Sequence, residues 1–270
     1  MELHVVLPNE SVDLDPRLLV DLSRRAEESG YAGVWLPDHL LPPQEYGGPY
    51  GGVYEPLVTL SHIAAATTRI RLGTSVLLLA LRNPFVVAKQ AATLDRLSGG
   101  RFTLGIGLGW DQAEFASTGA DFTDRAGRTD ESLRLLRHLF DHGVGPFEGL
   151  RFGFATGNFA PRPGPGLKIM VGGTSPAALR RAARWADLWQ SPPDTPAVFA
   201  ERVAALRAQA GRAVAAGART EWSDSARPVE DIVDEVRAWA DAGADHLAVW
   251  FGDAHGFADR MTALASAGLS

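Results

Sequence analysis

Short apolar runs alternate with longer amphipathic segments along the whole chain of 270 residues. The short runs have the length of strands, and the longer segments repeat their apolar residues at helical spacing. Seven strands are clear and one more is weak, which gives about 34 residues for each strand and helix unit, the size of a unit in a (β/α)8 (TIM) barrel. The predicted strands are 3–7, 34–36, 70–78, 102–106, 168–171, 187–190, 246–251 and, weakly, 219–222.

The competing architecture is a doubly wound parallel sheet, which at this length would need fewer strands or a second domain. The Pro/Gly run 161–166 is too short for an interdomain linker, and no Pro/Ser-rich linker marks a domain boundary. Helix starts are predicted at Asp15-Pro16, Asn83-Pro84 and Ser175-Pro176, where a capping side chain precedes a proline. We therefore expect residues 1–270 to form a single barrel domain.

Composition excludes several classes of function. The net charge is −6 without a block of basic residues, which argues against binding to nucleic acid or to an acidic membrane surface. The chain has no cysteine, so disulfides, thiolate nucleophiles and cysteine-ligated metals are excluded. The N-terminus has no basic leader and no long apolar span. A soluble, cytoplasmic protein is the simplest expectation.

In a barrel, functional residues follow the C-terminal ends of the strands. His39 follows the second strand and could act as a general acid or base, and Asp38 could orient it or bind polar ligand atoms; the alternative is a capping or structural pair. Gly172, Gly173 and Thr174 precede a helix start, where backbone N–H groups favour a phosphate; the alternative is an ordinary helix cap.

Other motifs carry weaker signals. The glycine triplet that ends at Gly109 has no helix directly after it, so a dinucleotide-binding turn is not expected. His138 and His142 share a helix face but lack the neighbouring Glu of a zinc site, and His4 belongs to no evident cluster. No metal site is therefore predicted. Three tryptophans near strand ends could wall a flat ring or simply pack in the core: Trp35, Trp110 and Trp250.

Over about residues 1–190, these motifs together resemble the bacterial luciferase-like family of flavin and deazaflavin oxidoreductases. The last 80 residues match it only in pattern. The matching segments are 33–39 (GVWLPDH), 54–57 (YEPL), 64–74 (AAATTRIRLGT), 82–84 (RNP), 91–101 (AATLDRLSGGR), 105–110 (GIGLGW) with Glu114-Phe115, and Gly172-Gly173 with 182–187.

The resemblance implies a luciferase-like TIM barrel. Relative to that family this chain is expected to have a shortened C-terminal part, mainly after residue 190 and including a short seventh strand. Its pocket would hold coenzyme F420, a deazaflavin, or alternatively FMN, with the ring against a bulge in the third strand and a cis peptide bond between Ser75 and Val76. His39 would be catalytic. The implied cofactor-binding residues are Asp38, His39, Thr74, Ser75, Val76, Gly107, Gly109, Trp110, Gly172, Gly173 and Thr174.

The chain departs from the family's deazaflavin dehydrogenases, which carry a Trp and a Glu where this chain has Pro43 and Trp110. Dehydrogenation of a sugar phosphate is therefore not expected. The leading hypothesis is an F420-dependent oxidoreductase that transfers a hydride to or from a small organic substrate. The alternatives are an FMN-dependent monooxygenase and a cofactor-binding protein without turnover. Residues 42–54 could form a lid, and a homodimer is possible in this family.

Overall fold

The computed structural model describes residues 1–10, 13–41 and 54–268, which alternate between strands and helices in the predicted order. The strands are β1 (Glu2–Val6), β2 (Gly33–Leu36), β3 (Arg71–Thr74), β4 (Leu77–Leu78), β5 (Phe102–Gly107), β6 (Lys168–Gly172), β7 (Leu188–Gln190), β8 (Ala215–Glu221) and β9 (His246–Trp250). The helices are α1 (Pro16–Glu28), α2 (Pro56–Ala66), α3 (Pro84–Leu97), α4 (Gln112–Ser117), α5 (Arg125–Asp141), α6 (Pro176–Trp185), α7 (Pro196–Ala210), α8 (Val229–Asp241) and α9 (Phe257–Ser266), with a short 3-10 helix at Leu79–Leu81.

Parallel pairing closes the described strands into a barrel. Their order is β3-β2-β1-β9-β8-β7-β6-β5-β4. The first half of β5 pairs with β3, with Phe102 opposite Leu72, and its second half pairs with β4, with Ile106 opposite Leu77. β3 and β4 are therefore two parts of one barrel strand, and the sheet closes at eight strand positions. The predicted (β/α)8 barrel is confirmed.

Capping side chains set where several helices begin. Asp15 accepts a hydrogen bond from the N–H of Arg17 at the start of α1, and Asn83 and Ser175 cap α3 and α6 in the same way. Each cap is followed by a proline, whose missing N–H costs nothing at this position. These three predicted helix starts are confirmed. Because the helices follow strands, their caps fix the ends of loops at the mouth of the barrel.

The seventh barrel strand is longer than its sequence indicates. β8 has seven residues, Ala215–Glu221, where the sequence predicts only a weak strand at 219–222. Its first half, 215–218, consists of alanine and glycine and lacks the β-branched residues that favour strands. Pairing with β7 and β9 on both sides holds it in the sheet. The prediction of a short seventh strand is therefore wrong.

Three rings fill the barrel interior below the mouth: His4, Trp35 and His246. The centroid of the His4 ring lies 5.2 Å from that of Trp35 and 5.5 Å from that of His246. Glycines on neighbouring strands make room for them, since a Cβ on Gly217 would come within 1.9 Å of His246 Nε2 and one on Gly33 within 2.4 Å of His4 Nδ1. His4, which the sequence assigns to no cluster, thus belongs to this one, and Trp35 packs here.

Burial keeps both imidazoles of this cluster uncharged. It lowers the pKa of His4 and lowers the pKa of His246 to about 3. The ionisable groups that face them are Glu2 and Arg71; a hydrogen bond with His4 lowers the pKa of Glu2 to about 2. The folded barrel therefore resists protonation of its interior in mildly acidic solution.

We expect the free energy of unfolding to fall as the pH decreases from 6.5 toward 3, because the unfolded chain protonates His246 near its ordinary pKa and the folded chain only near 3. His246→Phe keeps an aromatic ring but removes this titration. It should reduce the slope of unfolding free energy against pH by up to about 1.4 kcal/mol per pH unit. Urea unfolding at a series of pH values measures the slope.

The matched control is His62→Gln, because His62 is exposed on α2. Its slope should equal that of the wild type. Identical slopes in the wild type and His246→Phe would contradict the role given to the buried imidazole.

Candidate active site

A cavity of about 430 Å³ lies at the C-terminal ends of the barrel strands. Loops after β2, β3, β5 and β6 form most of its wall, and β7 and β8 contribute the rest. This volume falls within the range of small-molecule and cofactor pockets. The predicted site residues that line it are Asp38, His39, Ser75, Val76, Gly107, Gly109, Trp110, Gly172, Gly173 and Thr174.

Thr74, the remaining predicted site residue, lies behind the cavity wall. Its buried hydroxyl donates to the carbonyl oxygen of Gly105 at 2.6 Å and accepts from the N–H of Gly105 at 2.9 Å. A Cβ on Gly105 would come within 1.9 Å of the backbone oxygen of Thr74. The side chain of Thr74 therefore links β3 to β5 by hydrogen bonds and does not line the cavity.

The peptide bond between Ser75 and Val76 is cis, as the resemblance implies. Val76 projects over two neighbouring strands, since a Cβ on Gly107 would lie 2.4 Å from Val76 Cγ2 and one on Gly172 would lie 2.9 Å from Val76 Cγ1. These two glycines thus give Val76 the space to form an apolar part of the wall. Their position at strand ends has a packing cause in addition to any contact with a ligand.

His39 is held by a carboxylate from another loop. Its Nδ1 lies 2.9 Å from Oε2 of Glu114 on α4, and both side chains are buried. The other carboxylate oxygen of Glu114 accepts from the N–H groups of Leu40 and Leu41. Because a carboxylate only accepts, Nδ1 carries the proton of this bond, and Nε2 is the nitrogen that can exchange a proton with a ligand.

Asp38 does not orient His39. Its carboxylate accepts from Arg82 Nη2 at 2.7 Å and from the N–H of Leu78 at 2.9 Å. Arg82 also pairs with Glu55, the cap of α2, at 3.0 Å. The interpretation of Asp38 as the partner of His39 is therefore wrong: Asp38 ties the loop after β2 to β4 and leaves that role to Glu114.

The loop after β6 combines two features that suit an anionic group. Gly173 has a φ of 112°, a conformation that favours glycine, and it lines the cavity together with Thr174. Ser175 then caps α6 by accepting from the N–H of Ala178 at 3.1 Å. The first turn of a ten-residue helix thus faces the cavity, and its dipole favours negative charge there.

Three lining or contacting residues were missed by sequence reasoning. Glu114 stands four residues after Trp110, and its sequence position alone did not connect it with His39. Gln190 ends β7 and lines the cavity, and its buried Nε2 has no hydrogen-bond partner among the residues that the structure describes. Arg219 lies in the weak strand candidate, where nothing in the local pattern indicated that its side chain reaches the cavity.

Several other expectations concern regions away from this cavity. Among the described residues, no group of three His, Cys, Asp or Glu side chains is placed to hold a metal ion. His138 Nε2 lies 2.8 Å from the backbone oxygen of Val144. No helix within residues 1–10, 13–41 and 54–268 is both long enough and apolar enough to cross a membrane. The lid predicted at 42–54 lies, except for Tyr54, outside the described residues.

The residues of the cavity fit a flat ring that carries an anionic tail. Val76 and Leu78 give an apolar wall, the start of α6 suits a phosphate, and the unpaired Nε2 of Gln190 can donate to a polar ring edge. His39 supplies a nitrogen for proton exchange. A phosphorylated flavin or deazaflavin has this combination of groups.

Comparison with known proteins agrees with this geometry. A family model described as luciferase-like monooxygenase matches residues 1–224. The chain is 35% identical over 217 residues to a pyrimidine monooxygenase of Methylobacterium radiotolerans, across 76% of this chain and 56% of the relative. It is 35% identical over 178 residues to an F420-dependent glucose-6-phosphate dehydrogenase of Amycolatopsis mediterranei, across 64% and 52%. The match thus spans about half the length of these two relatives.

Structural similarity continues past the family match. A solved F420-dependent secondary alcohol dehydrogenase superposes with a TM-score of 0.81 over 97% of this chain and 98% of its own, at 17% identity. At that identity the likeness shows the fold alone, and its coverage extends beyond residue 224, where the family match ends. The family match itself ends at residue 224, beyond the 190 residues of the sequence resemblance. The chain therefore belongs to the luciferase-like monooxygenase family, and it is an oxidoreductase of that class.

Proposed function

We propose that the protein is an F420-dependent oxidoreductase that transfers a hydride to or from a small organic substrate. The observation that carries the proposal is the pair of His39 and Glu114, 2.9 Å apart and buried at the cavity. A buried imidazole held by a carboxylate is suited to take the proton that leaves a hydroxyl group when hydride leaves its carbon. The name of the Amycolatopsis relative supports the choice of F420.

The cofactor, when bound, supplies a ring carbon that accepts or gives the hydride. The chain's own residues do the rest. His39 exchanges a proton at Nε2, and Glu114 keeps the imidazole oriented through Nδ1. Val76 and the start of α6 would bind the ring and the phosphate end.

The main alternative is an FMN-dependent monooxygenase. The family description and the pyrimidine monooxygenase among the relatives favour it. A deazaflavin lacks the nitrogen next to which a flavin reacts with oxygen, so the two cofactors allow different reactions. The same cavity suits either ring, so binding measurements with each cofactor distinguish the two functions.

A cofactor-binding protein without turnover is the third possibility. Two sequence features suggest it: the absence of a glutamate at the end of the fourth barrel strand, where Trp110 stands, and a short seventh strand, which the seven residues of β8 contradict. Glu114 supplies a carboxylate to His39 from α4, which weakens the first of these features. An enzyme is therefore better supported than a binding protein without turnover.

We expect F420 to bind at least tenfold more tightly than FMN, and oxygen consumption with reduced FMN to stay at the background rate. Fluorescence titration with each cofactor and an oxygen electrode measure the two quantities. Tight binding of FMN with substrate-dependent oxygen uptake, and no response to F420, would replace the proposal with the monooxygenase alternative.

His39→Ala should lower kcat by about 100-fold or more, because general acid–base catalysis typically contributes that much. The dissociation constant of the cofactor should change only a few-fold. Glu114→Gln keeps the size of the side chain and an oxygen for the N–H groups of Leu40 and Leu41, so it should lower kcat by a smaller factor. Steady-state kinetics with F420 and a panel of small alcohols measures both.

His142→Ala serves as the control, because His142 is exposed near the end of α5 and away from the cavity. Its kcat should match that of the wild type. Full activity in His39→Ala would show that another group moves the proton. If the wild type binds a cofactor but turns over no substrate, the binding protein without turnover is favoured.

A further inference from the structure

One wall of the cavity is a small network around Ser75. The hydroxyl of Ser75 donates to Oε1 of Gln190, and both side chains are 2% exposed. This bond fixes the orientation of the amide and turns its NH2 group away from Ser75. Gln190 lines the cavity, and among the described residues no group accepts a hydrogen bond from its buried Nε2. A buried donor that makes no hydrogen bond destabilises the structure, which is a reason to look for an acceptor that occupies the cavity.

Arg219 joins the same network from the next strand. Its Nη1 lies 3.3 Å from the backbone oxygen of Ser75, and its side chain lines the cavity beside Gln190. β7 and β8 are paired neighbours, so the two side chains reach Ser75 from adjacent strand ends. A guanidinium carries five N–H donors in one plane and can serve the backbone oxygen and a ligand together.

Charge in the cavity is uneven. Among the described lining residues, Arg219 is the one with a permanent positive charge, and the carboxylate of Asp38 is already paired with Arg82. The wall at Arg219 and Gln190 therefore presents donors and a positive charge. A ligand group that suits this wall has adjacent acceptor atoms and becomes negatively charged in at least one state.

We propose that Arg219 and Gln190 bind the pyrimidine edge of the cofactor ring, at N1 and the C2 carbonyl oxygen, and that they stabilise the reduced ring more than the oxidised ring. The inference rests on the proposed function only in requiring a flavin or deazaflavin, because both rings carry this edge. A hydride brings two electrons and one proton to the ring, so the ring gains one negative charge, which is shared by N1 and the C2 oxygen. A nearby guanidinium favours that state.

The network itself favours the cofactor over the substrate as the occupant. Both donors are anchored to Ser75, the first residue of the bulge, and the second residue of the bulge, Val76, forms the apolar wall. A flat ring that lies against Val76 turns one edge toward Ser75 and hence toward Arg219 and Gln190. A substrate on the far side of the ring would be separated from these donors by the ring.

The test compares how tightly the full-length protein binds the oxidised and reduced forms of F420 and FMN, under anaerobic conditions. In Arg219→Met, the dissociation constant of the reduced cofactor should rise at least tenfold more than that of the oxidised cofactor. For a two-electron couple, each tenfold change in this ratio lowers the midpoint potential of the bound cofactor by about 30 mV. Spectroelectrochemical titration of the bound cofactor reads the potential independently of turnover.

Two further variants distinguish a specific effect on the reduced cofactor from a general loss of folding. Arg219→Lys keeps the charge and should retain most of the preference for the reduced ring. Gln190→Glu is nearly isosteric, replaces the unpaired NH2 group by an oxygen and should shift the potential in the same direction as Arg219→Met. The control is Arg237→Met, at an exposed arginine on α8 that pairs with Asp234, and its potential should be that of the wild type.

An unchanged ratio of dissociation constants in Arg219→Met, with native circular dichroism, would overturn the inference while leaving the proposed function intact. An unchanged ratio with a raised KM for acidic substrates would assign Arg219 to the substrate and overturn the inference equally. If the wild type binds neither cofactor in either form, both the proposed function and the inference are wrong.

Discussion

The third barrel strand is interrupted between β3 and β4, and this interruption positions the residues that line the cavity at the mouth of the barrel. Thr74 bonds to Gly105 through its hydroxyl, and this contact fixes β3 against β5 just before the chain departs from the sheet at Ser75 and Val76. The two residues after Thr74 then reach opposite parts of the cavity: Ser75 contacts the ends of β7 and β8, and Val76 packs over β5 and β6. One short segment thus connects four strands that are distant in sequence.

The proton-exchanging group is assembled in a different way. His39 follows β2 directly, but its orientation depends on Glu114, which comes from a short helix after β5 and also accepts from two backbone N–H groups next to His39. A carboxylate that serves the backbone and the imidazole together fixes the loop and the ring at once. Asp38 likewise links the loop after β2 to Arg82 and to β4 by hydrogen bonds.

The sequence predicted the barrel because apolar strands alternate with helical segments along the chain, and because several helices begin with a capping residue and a proline. It failed at β8, where alanine and glycine fill the strand so that the ring of His246 can pack against Gly217. Residues at strand ends could be located, since the barrel geometry brings them together. Their partners could not, because the contacts of Glu114, Gln190 and Arg219 join positions 75 to 144 residues apart and local patterns carry no information on them.

The packing of Val76 has a consequence for how this cavity can vary among related chains. A side chain at position 107 or 172 would need the space that Val76 fills, so neither glycine can be replaced without a smaller residue at 76. These three positions form one steric unit spread over three strands. Changes in the shape of the wall must therefore occur as linked substitutions, and single replacements at any one of them are restricted by the other two.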